Sequence, residues 1–318
     1  MRMLVLGAGG IGGYVGGRLA AGGSDISFLV RPGRGELLAT EGLRITSPLG
    51  DLQIPVKTLI APEVRPGYDF VLLTCKAYDL ESAMDAIAPA IDGRCAIVPM
   101  LNGMAHLDTL KNRFGESSVM GGTCLIDVTL DRGGVVRHAG SLQKVIFGER
   151  DRLVSARAKS LAEAFASAQI EWELSEDIVL SMWEKIVFLS VLAAATCLFR
   201  ANVREIISSP GGLEVMEGAL AINIEIARRE GYAPRDAPMQ RARDRLTDPA
   251  GPWSASMLRD LETGGRVEGD HVVGWMLTKA RKHGLDDSFL ALAYTHLKAY
   301  EARRAAGRLP GAAPSLLG

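Results

Sequence analysis

The chain has 318 residues, too many for one small domain and comfortable for two. Apolar residues make up 47%, enough for each half to bury a core, and 36 Lys and Arg against 37 Asp and Glu leave a formal charge of −1. That balance gives no reason to expect a nucleic-acid or membrane-surface partner.

In chain order, the first half alternates short apolar runs with helical ones. Residues 3–6 form an apolar run, 11–21 a helix of small residues closed by Gly22 and Gly23, and 26–30 a second apolar run. Residues 70–74 form a third run, 80–88 a helix, and 96–98 a fourth run. Continuous apolar strands separated by helices predict an α/β domain with a parallel sheet covered on both faces. Residues 153–168 read as an Ala-rich helix, and 170–174 alternate apolar and acidic residues as an edge strand would. After Ser175 strand signals stop and helices dominate, which places a boundary near 174: a Rossmann-type parallel-sheet domain over 1–174 and an all-α domain over 175–318. From Ala306 onward Gly and Pro predict a loose tail.

Arg2 and the short run after it are not patterned as a signal peptide. No run is long enough to span a bilayer; the nearest, 186–199, is shorter than the ~20 residues a spanning helix needs. Its helix is expected to be domain core or part of a homodimer interface. Cys75, Cys95, Cys124 and Cys197 fit no metal-ligand spacing and read as reduced core residues, which suggests the cytoplasm and no metal.

Gly7-Ala8-Gly9-Gly10-Ile11-Gly12 matches G-x-G-x-x-G between a strand and a helix. The first glycine permits a tight turn, the second lets backbone approach a pyrophosphate, and the third allows close helix–strand packing. The helix N-terminus then offers N–H groups to the phosphates. An ordinary tight turn is the bland alternative. In NAD-binding members an acid ends the second strand; here Arg31 stands there and no acid follows until Glu36. A guanidinium can pair with a 2′-phosphate through two hydrogen bonds, with Arg34 assisting, so the reading favours NADP(H).

Lys76 and Asn102-Gly103 follow the third and fourth strand runs, at the edge where open parallel sheets hold ligands. Taken alone, each is also an ordinary strand-end lysine or turn. Lys185 lies in a helix apolar nearly all round and shares a face with Ile178, Met182, Leu189 and Ala193. Such a charge needs a partner or a task, and burial would lower its pKa toward proton transfer near neutrality. A snorkelling lysine is the alternative, and Glu184 beside it is equally odd. Farther on, Ser254 reads as a helix N-cap and Glu268 as an acid at the start of a helix that ends near Gly284.

Taken together, the ordered set resembles the ketopantoate reductase (2-dehydropantoate 2-reductase) family over almost the whole chain. The stretches that carry the resemblance are Gly7 to Gly12, Arg31, Cys75-Lys76-Ala77, Leu101-Asn102-Gly103-Met104 and Gly134-Val135-Val136-Arg137-His138. In the second half they are Trp183-Glu184-Lys185, Ser256-Met257-Leu258-Arg259-Asp260 and Glu268-Gly269-Asp270. The resemblance implies NADPH-dependent reduction of a small 2-oxo acid, by default 2-dehydropantoate to pantoate in pantothenate biosynthesis, in a cleft between a Rossmann and a helical domain. It implies Lys185 as general acid, Glu268 as substrate anchor, Ser256 at the carboxylate, and Asn102 and Lys76 on the cofactor side. Gly7, Gly9, Gly10, Ile11 and Gly12 would hold the pyrophosphate and Arg31 the 2′-phosphate. The chain departs from the family pattern at Leu189, Ala193 and Val273, where the family carries Asn. That leaves room for a different, more apolar 2-oxo acid, and a non-catalytic NADP(H)-binding regulator is the alternative of another class.

Overall fold

A computed structural model describes residues 1–309, so the tail expected from Ala306 lies mostly outside the described residues. The chain divides into two compact units, Met1–Ser181 and Met182–Gly318.

In the first unit the strands are β1 (Arg2–Leu6), β2 (Asp25–Leu29), β3 (Leu43–Thr46), β4 (Leu52–Ile54), β5 (Lys57–Leu59), β6 (Phe70–Leu73), β7 (Ala96–Pro99), β8 (Gly121–Leu130), β9 (Val135–Gly148) and β10 (Glu171–Leu174). The helices are α1 (Gly10–Ala21), α2 (Pro32–Glu41), α3 (Leu80–Ile87), α4 (Ala105–Phe114) and α5 (Ala156–Ala166). One sheet has the order β5-β2-β1-β6-β7 and is parallel throughout. Strands β1, β6 and β7 are apolar and buried, as the continuous runs predict: Met3, Leu4, Val5, Val71, Leu72, Leu73, Ile97 and Val98 have no exposed surface.

A second sheet, β10-β9-β3-β4 with β8 on β9, goes beyond the sequence reading. β8 and β9 pair antiparallel with an irregularity between Ile126 and Val128. They escape a search for apolar runs because polar residues interrupt their far, half-exposed halves; only stretches such as Val145 to Gly148 are nearly all buried. Helix α1 serves both sheets. A Cβ on Gly16 would strike Phe28 of the first sheet, and one on Gly17 would strike Leu43 and Ile45 of the second. The glycines of α1 therefore let one helix approach two layers closely, which the G-x-G-x-x-G reading alone does not explain. The helix expected over 153–168 begins later, where Ser155 accepts a hydrogen bond from the backbone of Ala158 as N-cap. The expected edge strand is β10, parallel to β9.

The remaining elements are helices: α6 (Ile178–Phe199), α7 (Val203–Ile207), α8 (Gly212–Arg229), α9 (Asp236–Leu246), α10 (Ser256–Glu262), α11 (Trp275–Lys282) and α12 (Ser288–Ala305). A π-helical turn, Asp270–Gly274, leads directly into α11. α6 corrects the sequence reading of spans. It covers the helix expected over 178–199 around Lys185, eight residues longer than the apolar run 186–199, and at 22 residues is long and apolar enough to cross a membrane by length and composition. Of its most apolar window, 72% is buried inside the fold, as a core helix would be.

Candidate active site

The first half of the site is set by sheet register. In the parallel sheet Leu6 pairs with Leu29 and Leu73, and Leu73 with Pro99. The residues just past these strand ends therefore emerge at one edge: Gly7 after β1, Arg31 after β2, Lys76 after β6 and Asn102 after β7. The structure brings together there the residues expected on the cofactor side.

Gly7 has φ +93°, in the region that favours glycine, and its N–H donates to the Leu29 carbonyl at 2.9 Å. The Thr74 hydroxyl donates to the Leu6 carbonyl at 2.7 Å. A Cβ on Gly12 would collide with the Gly7 carbonyl and the Thr74 hydroxyl, so only glycine lets α1 start this close to the strand. A Cβ on Gly9 would meet nothing within 4 Å, which leaves open space over the turn. The first turn of α1 holds no acidic side chain. An open glycine turn below a helix N-terminus without carboxylates suits an anionic pyrophosphate.

The two arginines separate. Arg31 is the N-cap residue of α2, and its side chain is 84% exposed and pairs with Asp79, Nη2 to Oδ2 3.2 Å. Arg34 is committed to backbone: Nε donates to the Ala8 carbonyl at 3.1 Å and Nη1 to the Gly134 carbonyl at 3.0 Å. Burial lowers the Arg34 pKa, with Arg44 adding to the effect. Arg34 thus ties the glycine turn to the β8–β9 hairpin, and Arg31 is the cation with a solvent-facing tip. Asp79 was not foreseen; its signal was its place three residues past Lys76. Lys76 and Asn102 are both half-buried, Lys76 ahead of the 3-10 turn Ala77–Asp79 and Asn102 next to Gly103 at φ +88°.

In the second unit α6 resolves the ambiguity between its adjacent charges. Glu184 is 8% exposed and fully engaged by Arg235: Oε1 accepts from the Arg235 backbone N–H at 2.9 Å and from Nε at 2.8 Å, and Oε2 accepts from Nη2 at 2.7 Å. It fixes the start of α9. Lys185 lies in a different setting, half-buried between the buried residues Glu184 and Ile186. Trp183 stacks on Tyr232 and tilts against Trp275, with ring centroids 5.7 and 5.0 Å apart. The flanking residues of Trp183-Glu184-Lys185 are therefore structural anchors.

Glu268 is 5% exposed, which overturns the bland reading of a solvated helix-start charge. It lies just ahead of the π-helical turn, an irregularity often found at functional sites. Asp270 within that turn accepts from the Tyr294 hydroxyl at 2.6 Å and from Lys298 at 3.1 and 3.2 Å. Burial pushes the Asp270 carboxyl up, but these bonds outweigh it and hold its pKa below the usual value. Ser256 is exposed and is the first residue of α10. Ser254 is not the N-cap; Ala255 is, with an extended backbone whose N–H reaches the Thr196 hydroxyl of α6 at 3.4 Å. None of the four cysteines is in a disulfide; burial pushes Cys95 and Cys197 up to about 12, so neither supplies a thiolate at neutral pH.

Comparison with known proteins follows the same division. Residues 3–152 match the family described as ketopantoate reductase PanE/ApbA, and 177–301 match its C-terminal region. An uncharacterized oxidoreductase YkpB of Bacillus subtilis is 34% identical over 304 residues, covering 96% of this chain and 100% of that protein. The 2-dehydropantoate 2-reductase of Halobacterium salinarum is 29% identical, covering 90% and 94%. The crystal structure of the 2-dehydropantoate 2-reductase from Geobacter metallireducens superposes with a TM-score of 0.86 at 26% identity, covering 94% of this chain and 99% of that one. Family matches in both halves and a full-length relative agree with the glycine-rich sheet edge and the helical second half: the chain belongs to the ketopantoate reductase family of oxidoreductases.

Proposed function

We propose that this chain reduces a 2-oxo acid to the 2-hydroxy acid at the expense of NADPH, with R–CO–COO⁻, NADPH and H⁺ giving R–CHOH–COO⁻ and NADP⁺. The observation that carries the reading is Lys185, a half-buried lysine within a stretch of buried residues, whose neighbour Glu184 has a separate and complete structural role.

The residues at the sheet edge fit a dinucleotide. Gly7, Gly9, Gly10, Ile11 and Gly12 would receive the pyrophosphate, Arg31 the 2′-phosphate, and Lys76 and Asn102 the side of the ring that meets substrate. When bound, the dihydronicotinamide supplies the hydride. Negative charge then builds on the substrate's 2-oxo oxygen, and the Lys185 ammonium both stabilises it and donates the proton from Nζ. Glu268 would anchor the substrate and orient Lys185, and Ser256 would donate to the substrate carboxylate. Within the family the default substrate is 2-dehydropantoate, and a homodimer is compatible with this reading.

The test is NADPH absorbance at a fixed enzyme concentration with a panel of 2-oxo acids, for the wild type and Lys185→Met. Substrate-dependent decay that the variant loses supports the proposal. Tight NADPH binding with no decay on any acid would instead favour a non-catalytic dinucleotide-binding regulator.

A further inference from the structure

We infer that the preferred substrate is a 2-oxo acid whose side chain is wholly apolar beyond the 2-oxo carbon, received by Phe188 and Leu189. This rests on the reductase reading above and narrows its substrate class.

Of residues 181–197 only three are not buried: Lys185, Phe188 and Leu189. They stand at i, i+3 and i+4, so Phe188 and Leu189 flank the Lys185 direction by about 60° and 40° and lie roughly one turn further along the axis. The accessible part of this stretch is therefore one cation with an aromatic and an aliphatic side chain against it. A substrate whose 2-oxo oxygen meets Lys185 Nζ has its substituent within reach of that ledge.

No polar group of the helix is left to serve it. The Ser190 hydroxyl is buried, donates to the Ile186 carbonyl at 2.7 Å and accepts from Asn223 Nδ2 at 2.7 Å. Asn223 also donates to the Val187 carbonyl at 3.2 Å, which keeps its amide in the core. The Thr196 hydroxyl donates to the Leu192 carbonyl at 2.7 Å and meets the Ala255 N–H. Asn202 caps α7 by accepting from the Glu205 N–H at 3.0 Å. Ala193 is 1% exposed and Val273 fully buried, so neither contributes a contact surface as the sequence pattern suggested. The apolar character of the site falls instead on Leu189 together with Phe188, which the face drawn through Lys185 and Leu189 did not include.

The docking of Ala255 on Thr196 places the Ser256 segment against the same helix face, about 10 Å beyond Leu189 along the axis. The strip between them consists of Leu192 and Ala193, both buried. A hydroxyl on the substrate's side chain would lose water at this ledge without finding a partner on the helix, a penalty of about ten- to a hundredfold in kcat/KM.

A matched pair of substrates tests this. Ketopantoate and 3,3-dimethyl-2-oxobutanoate differ only by the terminal hydroxyl. With the full chain and saturating NADPH, we expect kcat/KM at least tenfold higher for the acid lacking it. Leu189→Asn should narrow that ratio about tenfold, with NADPH affinity unchanged. As a readout independent of turnover and of any variant, calorimetry with NADP⁺ present should show tighter binding of 2-hydroxy-3,3-dimethylbutanoate than of pantoate. A preference for ketopantoate, or for pantoate in the calorimetry, overturns the inference while leaving the reductase reading intact. Turnover of no 2-oxo acid overturns that reading, and the inference with it.

Discussion

Replacing Arg31 by Ala should weaken NADPH binding and leave NADH binding nearly unchanged. The Arg31 side chain is 84% exposed, and its ion pair with Asp79 at 3.2 Å sits at a surface where such pairs contribute about 0–1 kcal/mol. Charge-assisted hydrogen bonds to a 2′-phosphate are worth roughly 1.5–3 kcal/mol. Sharing the guanidinium with Asp79 offsets up to about 1 kcal/mol of that, so the net loss is about 0.5–3 kcal/mol, or roughly two- to 160-fold in Kd. The same reasoning requires that Asp79→Asn, which frees Arg31 and removes a negative charge facing the phosphate, tighten NADPH binding by up to about fivefold. Calorimetric titration of both dinucleotides into wild type, Arg31→Ala and Asp79→Asn reads these differences, and the Arg31 effect should shrink as salt is raised. An NADPH-to-NADH affinity ratio untouched by Arg31→Ala would refute the assignment. It would shift attention to Arg34, whose Nε and Nη1 already hold the Ala8 and Gly134 carbonyls.

Lys185→Ala should lower turnover by roughly 10²–10⁴-fold while NADPH binding persists; a loss under tenfold with the fold retained would assign proton transfer elsewhere. Gly12→Ala drives a Cβ into the Gly7 carbonyl and the Thr74 hydroxyl, so both dinucleotide affinity and Tm should fall, and a Tm within a degree of wild type would contradict the close packing. The Glu230 carboxyl is held near a pKa of about 2: burial pushes it up, but Lys279, Lys282 and His283 pull it down further. Because the folded pKa lies below the ordinary 4.5, its contribution is fully present above about pH 4.5 and is lost as pH falls toward 2. Glu230→Gln should therefore cost up to about 3 kcal/mol at neutral pH and flatten the acid limb of a Tm–pH curve, and an unchanged limb would exclude this cluster as its source.

What the sequence made legible follows the reach of the interactions involved. The parallel sheet was readable because its strands are buried on both faces, so runs such as Val71-Leu72-Leu73 need no polar alternation. The glycine turn was readable because Gly7 and Gly12 meet constraints set within a few residues and one strand away. The second sheet was not, because β9 combines a buried stretch with an exposed one, and beyond its hairpin partner β8 it pairs with β3 and β10, which lie well away from it in the chain. The same distance hid the meaning of the paired charges in α6. Glu184 and Lys185 look alike in a helical pattern, and only Arg235, 51 residues away, shows that one is a structural ion. Glu268 is the converse case. An acid before a helix usually faces water, and its burial at 5% exposure comes from tertiary packing that no local rule contains. The candidate chemistry thus lies where local expectation fails. Glu268, the π-helical turn after it and the half-buried Lys185 are the places where tertiary packing, not local pattern, decides the setting of a charge, and it is there that the proposed chemistry is to be tested.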